Sequence, residues 1–246
     1  MRIIFSPTKT MQRSGKPVKD LPVFLKESEM LLKRLRAMTA PELKKLWKCS
    51  DEIVQENIQR LEEMNLHEGL SPAVFAFEGI AFKYLGAGSL SDESLLYLQK
   101  NMRILSGFYG VLKPFDGVRA YRLDMEHRLT LPGYKNLYDF WGDKIASELR
   151  DGSGITVSLA SGEYSKAVEK YLQPGERFIN CSLVENVKGE LKQKATFSKM
   201  ARGAMLRFMA ERQIEDPQEL KKFHELSFIF RPELSSETEF IFEHMI

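Results

Sequence analysis

The segment Arg103-Ile104-Leu105-Ser106-Gly107-Phe108-Tyr109-Gly110-Val111-Leu112-Lys113-Pro114 is the most specific stretch of this sequence. It places two glycines three positions apart among apolar residues, and Arg103 and Lys113 flank it. Glycine tolerates positive φ and lets another group approach the backbone closely. The spacing therefore predicts a tight turn that follows a helix.

Such a turn is similar to the hairpin of helix-hairpin-helix modules, in which a Leu-x-Gly-apolar-Gly sequence exposes backbone amides to a DNA phosphate. Tyr109 is an extra residue before the second glycine, and Pro114 interrupts the expected second helix. An ordinary buried turn is the alternative interpretation.

Outward from this segment, hydrophobic periodicity predicts interleaved helices and strands. Strands are expected at Met1–Phe5, Ala73–Phe77, Ile155–Leu159, Arg177–Leu183 and Leu191–Phe197, with a terminal antiparallel pair at Ser227–Phe230 and Glu239–Phe242. Helices are expected at about 22–37, 40–48, 51–65, 91–102, 136–149, 161–172, 199–212 and 217–223. We predict one mixed α/β (α+β) domain over residues 1–246, in which helices surround a central mixed sheet.

The composition is that of a globular protein with a sizeable core. The chain has 246 residues, 43% of them hydrophobic, and its mean hydropathy is −0.30. It contains no apolar run near the ~20 residues of a bilayer span, and its first apolar residues are too few for a signal peptide. We expect a cytoplasmic protein that does not contact membranes. Cys49 and Cys181 form no CxxC pair and predict neither a disulfide framework nor a zinc site.

Charge is distributed unevenly along the chain although the net charge is only +2. Residues 1–50 contain 12 lysines and arginines against 4 acidic residues, whereas residues 51–100 contain 3 against 9. This asymmetry allows a basic face or cleft on a nearly neutral molecule. Solvated helix faces would explain the same counts.

Common catalytic signatures do not occur in the sequence, which has no GxGxxG, GxxxxGK[ST], HExxH or GxSxG motif. The four histidines are scattered and do not pair with cysteine. We therefore predict a protein that is not an enzyme and that uses no cofactor and no metal site.

Two polar turns follow predicted strands, and they favour an alternative function. Ser6-Pro7-Thr8-Lys9-Thr10 follows the first strand, and Ser161-Gly162-Glu163-Tyr164-Ser165-Lys166 follows Ile155–Leu159. Hydroxyls, cations and helix-terminal amides at strand ends suit an oxyanion. Plain surface turns and a simple helix cap at Ser161 would explain the same residues. The predicted anion pocket comprises Ser6, Lys9, Thr10, Ser161, Glu163, Tyr164, Lys166, Lys199 and Arg202.

If these two turns meet, the chain could be an enzyme that acts on a phosphorylated or nucleic-acid substrate. Cations would hold an anion while Glu163 or Tyr164 exchanges protons. A small anionic ligand therefore stays an open alternative, and the oligomeric state is open as well.

Basic and aromatic residues continue beyond the glycine turn, a pattern that can stack bases and neutralise phosphates. Packing aromatics with snorkelling arginines would look the same. The predicted DNA-binding residues are Arg103, Gly107, Tyr109, Gly110, Lys113, Arg119, Tyr121 and Arg122.

Together these segments resemble the bacterial peroxide stress protein family YaaA. The matching motifs are Ser6-Pro7-x-Lys9-Thr10, Leu105-Ser106-Gly107-x-Tyr109-Gly110-Val111-Leu112-x-Pro114-x-Asp116, Tyr121-Arg122-Leu123-x-Met125, Leu137-Tyr138-x-Phe140-Trp141-Gly142-Asp143, Leu159-Ala160-Ser161-x-Glu163-Tyr164 and Lys199-x-Ala201-Arg202-Gly203. One departure is Phe77-Glu78-Gly79-Ile80, where the family pattern is Phe-Lys-Gly-Asp.

The resemblance implies a cytosolic stress-response protein that helps cells survive hydrogen peroxide by limiting free iron and thus Fenton damage. It also implies a family-specific fold with a positively charged cleft and a helix-hairpin-helix-like element that binds double-stranded DNA. The cysteines and histidines form no recognisable ligand set for iron, so an indirect effect on iron fits the residues better.

Overall fold

Strand β1 (Arg2–Phe5) lies inside the main sheet, and its residues Ile3, Ile4 and Phe5 are all buried. Successive side chains of a strand point to opposite faces, so a strand buried at every position is covered on both sides. In the computed structural model, which describes residues 1–245, this strand lies between two neighbouring strands and both of its faces are buried. The predicted buried strand at Met1–Phe5 is confirmed.

The chain forms one mixed α/β domain around an eight-stranded sheet. The other strands are β2 (Thr10–Met11), β3 (Ser71–Pro72), β4 (Phe77–Glu78), β5 (Met102–Ser106), β6 (Gly110–Leu112), β7 (Gly117–Val118), β8 (Ile155–Leu159), β9 (Arg177–Val187), β10 (Glu190–Lys192), β11 (Phe228–Phe230) and β12 (Glu239–His244). The main sheet has the order β11-β12-β9-β8-β1-β5-β6, with β10 paired to β9. Strands β12, β9, β8, β1 and β5 are parallel, and β6, β10 and β11 pair antiparallel.

The chain leaves β1 and β8 in opposite directions across the sheet. After β1 the next strand of the main sheet is β5, on one side, whereas after β8 it is β9, on the other. Neighbouring parallel strands whose connections diverge leave a crevice outside their carboxyl ends, and α/β proteins bind ligands there. The topology therefore places a candidate site after Phe5 and Leu159.

Helices pack against the strands of this sheet. They are α1 (Leu25–Arg36), α2 (Ala40–Trp47), α3 (Asp51–Glu63), α4 (Ala73–Ala76), α5 (Ile80–Leu85), α6 (Asp92–Asn101), α7 (Leu137–Trp141), α8 (Lys144–Leu149), α9 (Gly162–Glu169) and α10 (Ala195–Glu211), with 3-10 turns at Ala87–Ser89, Pro217–Lys222, Glu225–Ser227 and Pro232–Leu234. Phe82 of α5 packs edge-on against Phe5, with ring centroids 5.3 Å apart. Within residues 1–245, no helix combines the length and apolar character needed to cross a membrane.

Several predicted elements differ from the structure. Ala73–Phe77 was expected to be a strand, but Ala73–Ala76 form the short helix α4. The helix predicted at 136–149 is divided at Gly142, whose φ of +51° ends α7. The strand predicted at Leu191–Phe197 is β10 only as far as Lys192, because Ala195 begins α10.

The glycine turn differs most from the prediction. Residues 103–112 form a hairpin between strands β5 and β6, in which Leu105 pairs with Val111. Gly107 packs against backbone, since a Cβ there would lie 2.5 Å from the Leu123 carbonyl oxygen. Gly110 has a φ of +71°. Because the turn joins two strands and packs inside the domain, this segment is not the predicted helix-hairpin-helix element.

Candidate functional site

The two polar turns meet at the carboxyl ends of β1 and β8. Ser161 donates its backbone N–H to the Ser6 hydroxyl at 2.8 Å, and the two hydroxyl oxygens lie 3.3 Å apart. Ser161 precedes the first residue of α9, but its hydroxyl forms no capping bond to that helix. The bond to Ser6 thus joins two turns that lie 155 residues apart in the sequence.

A cleft of about 580 Å³ opens beside these turns, and we call it the strand-end cleft. Its lining combines five cations, four carboxylates and one histidine with three uncharged residues. The residues are Lys9, Arg34, Met38, Glu42, Lys45, Leu46, Lys48, Asp124, Glu126, His127, Arg128, Thr130 and Glu163. Such a set can hold an anion and also exchange protons.

The cations of the cleft come mainly from the basic N-terminal part of the chain. Lys9 follows β1, Arg34 lies on α1, Lys45 lies on α2 and Lys48 follows α2. Arg34 also donates from Nε to the carbonyl of Thr130 at 2.9 Å, which joins α1 to the opposite wall. The charge asymmetry seen in residues 1–50 is thus concentrated at this opening.

Asp124 lies between two nitrogen-bearing side chains at the base of the cleft. Its Oδ2 is 3.4 Å from Lys9 Nζ and 3.7 Å from His127 Nε2. The backbone N–H of Asp124 donates to His127 Nδ1 at 2.9 Å. Burial lowers the pKa of His127, so the ring is neutral near pH 7 and keeps its proton on Nε2, facing the carboxylate.

Glu163, in the first turn of α9, lies at the same base. Its Oε1 accepts the backbone N–H of Glu126 at 3.2 Å. Burial raises the pKa of Glu163, and the nearby charges of Asp124 and Glu126 raise it further. A carboxyl group with a raised pKa in the same cleft as a second carboxyl group and a histidine is an arrangement suited to acid–base chemistry.

Comparison with known proteins places the chain in a family. Residues 1–234 match the model described as "Peroxide stress protein YaaA". The chain belongs to the YaaA family. Similar relatives are the UPF0246 proteins of Agathobacter rectalis, 45% identical with 100% of both chains covered, and of Limosilactobacillus reuteri, 44% identical with 99% of both covered. A third, from Pediococcus pentosaceus, is 41% identical, covering 98% of this chain and 97% of its own.

For this YaaA-family chain, the structure brings together only part of the predicted anion pocket. Ser6 contacts Ser161, whereas Lys9 and Glu163 line the strand-end cleft. Lys166 lies near the cleft, with its Nζ 3.8 Å from Glu126 Oε1.

The remaining members of that set lie elsewhere. Thr10 is exposed in β2, and Tyr164 is buried, which raises its pKa well above the usual value. Lys199 is exposed on α10. Arg202, on the same helix, is half-buried, and burial lowers its pKa.

The eight predicted DNA-binding residues are not among the described residues that line the strand-end cleft. Arg103 is buried in β5, where its Nη1 donates to three backbone carbonyls, and burial lowers its pKa to about 10. Tyr109 and Tyr121 are buried. Arg119 donates to the carbonyl of Gly69 and lines a different, smaller cavity.

The other four predicted DNA-binding residues are buried or half-buried. Gly107 and Gly110 are buried in the β5–β6 turn, and the backbone N–H of Lys113 donates to Asp116. Arg122 is half-buried, and its Nε has no hydrogen-bond partner among the described residues.

Sequence reasoning missed Asp124, which falls at the unspecified position of the motif Tyr121-Arg122-Leu123-x-Met125, and His127, one of four scattered histidines. It also missed the roles of Arg34, Lys45 and Lys48 in the cleft. The uneven charge of residues 1–50 was a signal for the cations. The alternation of apolar and polar residues from Tyr121 to Glu126 was a weaker signal for one polar edge containing Asp124.

Proposed function

We propose that this YaaA-family chain acts in peroxide defence by binding double-stranded DNA in the strand-end cleft, and that it limits free iron and Fenton damage in this way. The observation that supports DNA binding most directly is a set of cations without carboxylate partners. Among the described residues, no ion pair within 4.0 Å involves Arg34, Lys45, Lys48 or Arg128. Unpaired cations around one opening attract a polyanion.

The acidic residues of the cleft weaken this attraction less than their number implies. Asp124 lies beside Lys9, and Glu126 lies beside Lys166. Glu42 accepts the backbone N–H and the hydroxyl of Thr39 in the capping box of α2. These local partners offset carboxylate charge, so the four unpaired cations dominate the field at the opening.

The connection between α2 and α3 offers a second kind of phosphate contact. Lys48 adopts the left-handed conformation with a φ of +49°, and Cys49 and Ser50 complete the connection. The hydroxyl of Ser50 makes no capping bond, so the first amides of α3 have no side-chain cap. Backbone amides at a helix start, together with Lys45 and Lys48, suit a DNA phosphate.

A salt series with labelled duplex DNA tests the proposal by fluorescence anisotropy. We expect binding that weakens steeply with salt, because each phosphate contact releases counterions. The variant Lys45→Ala/Lys48→Ala should weaken binding to all duplexes and lower the slope of log K against log salt by about 0.9 per lost contact. Lys135→Ala/Lys199→Ala removes the same charge outside the cleft and serves as the matched control.

Equal salt slopes for these two double variants would contradict cleft binding, as would an absence of binding at low salt. The effect on iron is tested separately, by measuring chelatable iron in peroxide-treated cells that express either variant. We expect the cleft variant, and not the control, to leave free iron high.

A further inference from the structure

The base of the strand-end cleft contains an acid–base arrangement that DNA binding does not require. A surface that only holds phosphates needs cations and amides, whereas Asp124 and Glu163 are carboxyl groups that repel phosphate when ionised. Both line the cleft beside the divergent ends of β1 and β8. The side chain of Asp124 is only 19% exposed, and Glu163 is half-buried.

These two groups have different neighbours. Asp124 Oδ2 lies 3.4 Å from Lys9 Nζ and 3.7 Å from His127 Nε2, so a cation and a ring nitrogen face this carboxyl group. Glu163 Oε1 accepts the backbone N–H of Glu126 at 3.2 Å, and burial raises the pKa of this carboxyl group. One carboxyl group beside an ammonium group and a second with a raised pKa, in a single cleft, suit the roles of a general base and a general acid.

We propose that the base of the strand-end cleft hydrolyses a phosphodiester bond of nucleic acid, an activity that rests on the proposed DNA binding for its substrate. A water molecule attacks phosphorus while the Asp124 carboxylate takes its proton. The bond between phosphorus and the leaving oxygen breaks, and Glu163 donates its proton to that oxygen. The products are a phosphate monoester and an alcohol, and the proton on Asp124 returns through solvent to Glu163.

Lys9 favours a phosphodiester over a glycosidic bond as the substrate. Its ammonium group lies 3.4 Å from Asp124. The positive charge of Lys9 also acts to lower the pKa values of Glu163 and His127. Cleavage of a glycosidic bond develops positive charge on the sugar, which a neighbouring cation destabilises. Attack on a phosphodiester places negative charge on the phosphoryl oxygens, which Lys9 and the unpaired cations stabilise.

The test uses the full chain with two substrates, a labelled DNA duplex and the small diester bis(4-nitrophenyl) phosphate. The small diester reports hydrolysis without requiring DNA binding, and anisotropy reports binding of the same duplex. We expect hydrolysis of both substrates, and Asp124→Asn should reduce both about 10²-fold or more because the attacking water loses its base. Glu163→Gln should reduce cleavage of the duplex about 10²-fold or more but affect the small diester far less, since 4-nitrophenolate leaves without needing a proton. Glu237→Gln, an exposed carboxylate outside the cleft, is the matched control and should retain full activity.

The pH dependence separates catalysis from a structural effect. The rate of duplex cleavage should fall as pH rises through the pKa of Glu163, because only the protonated form donates. Glu163→Asp should keep this fall in rate, with its midpoint at a different pH. Circular dichroism establishes that each variant is folded. Binding of DNA without hydrolysis of either substrate, or equal hydrolysis of the duplex by Glu163→Gln and Glu237→Gln, overturns this inference and leaves DNA binding intact. Hydrolysis of the small diester without DNA binding refutes DNA binding and the nucleic-acid substrate, but supports the acid–base chemistry.

Discussion

Replacing Gly107 by alanine tests whether the glycine turn belongs to the interior or to a DNA contact. The new Cβ would lie 2.5 Å from the carbonyl oxygen of Leu123, 2.8 Å from the carbonyl carbon of Asp124 and 3.0 Å from the amide nitrogen of Met125. Ordinary contacts begin at 3.4 Å, so backbone must move by about 0.9 Å. Overpacking of this kind costs about 1–3 kcal/mol. At roughly 2–4 °C per kcal/mol for a chain of this size, Tm should fall by about 2–12 °C.

Thermal unfolding followed by circular dichroism measures this change. Gly15→Ala is the control, because no atom lies within 4 Å of a Cβ at Gly15, and Tm should stay near that of the unsubstituted chain. If Gly107→Ala kept its Tm but lost affinity for duplex DNA, the buried assignment would be refuted and the turn would again be a phosphate contact.

Three further changes test the packing and the buried charges. Gly203→Ala should lower Tm although alanine has the better helix propensity, because the new Cβ overlaps a backbone carbonyl of α5. Gly162→Ala is the control and should not lower Tm, because no atom lies within 4 Å of its Cβ. Burial raises the pKa of Asp116 from 3.8 to about 6, so the folded state binds more protons than the unfolded state between these values. Stability against urea should therefore fall as pH rises through this range, and Asp116→Asn should remove that dependence. Tyr121→Phe deletes the buried bond to the Ser106 hydroxyl and should cost about 0.5–1.5 kcal/mol in urea unfolding, but less in a Ser106→Ala background.

Local patterns predicted much of the fold, because periodicity along the chain determines which faces are buried. The strands at Met1–Phe5 and Ile155–Leu159, the three N-terminal helices and the terminal antiparallel pair are all confirmed. The strand predicted at Ala73–Phe77 was wrong, because a short apolar run does not distinguish a strand from a buried helical turn.

The candidate site was only partly predictable. Strand ends with polar residues indicated Ser6, Lys9, Ser161 and Glu163, since carboxyl ends of parallel strands share one edge of a sheet. The Gly107 turn is buried because the backbone of Leu123, Asp124 and Met125 packs against it. The glycine spacing alone could not reveal this long-range contact.

The position of β1 inside the main sheet has a consequence for how the protein matures. Its two neighbours, β5 and β8, lie about 100 and 150 residues later in the sequence, so a ribosome exposes β1 long before either partner exists. During that interval the apolar Ile3, Ile4 and Phe5 have neither their strand pairing nor their final cover, and they are open to aggregation or to a chaperone. The strand-end cleft is completed only when β8 docks, so a released fragment that stops before residue 155 lacks one wall of it.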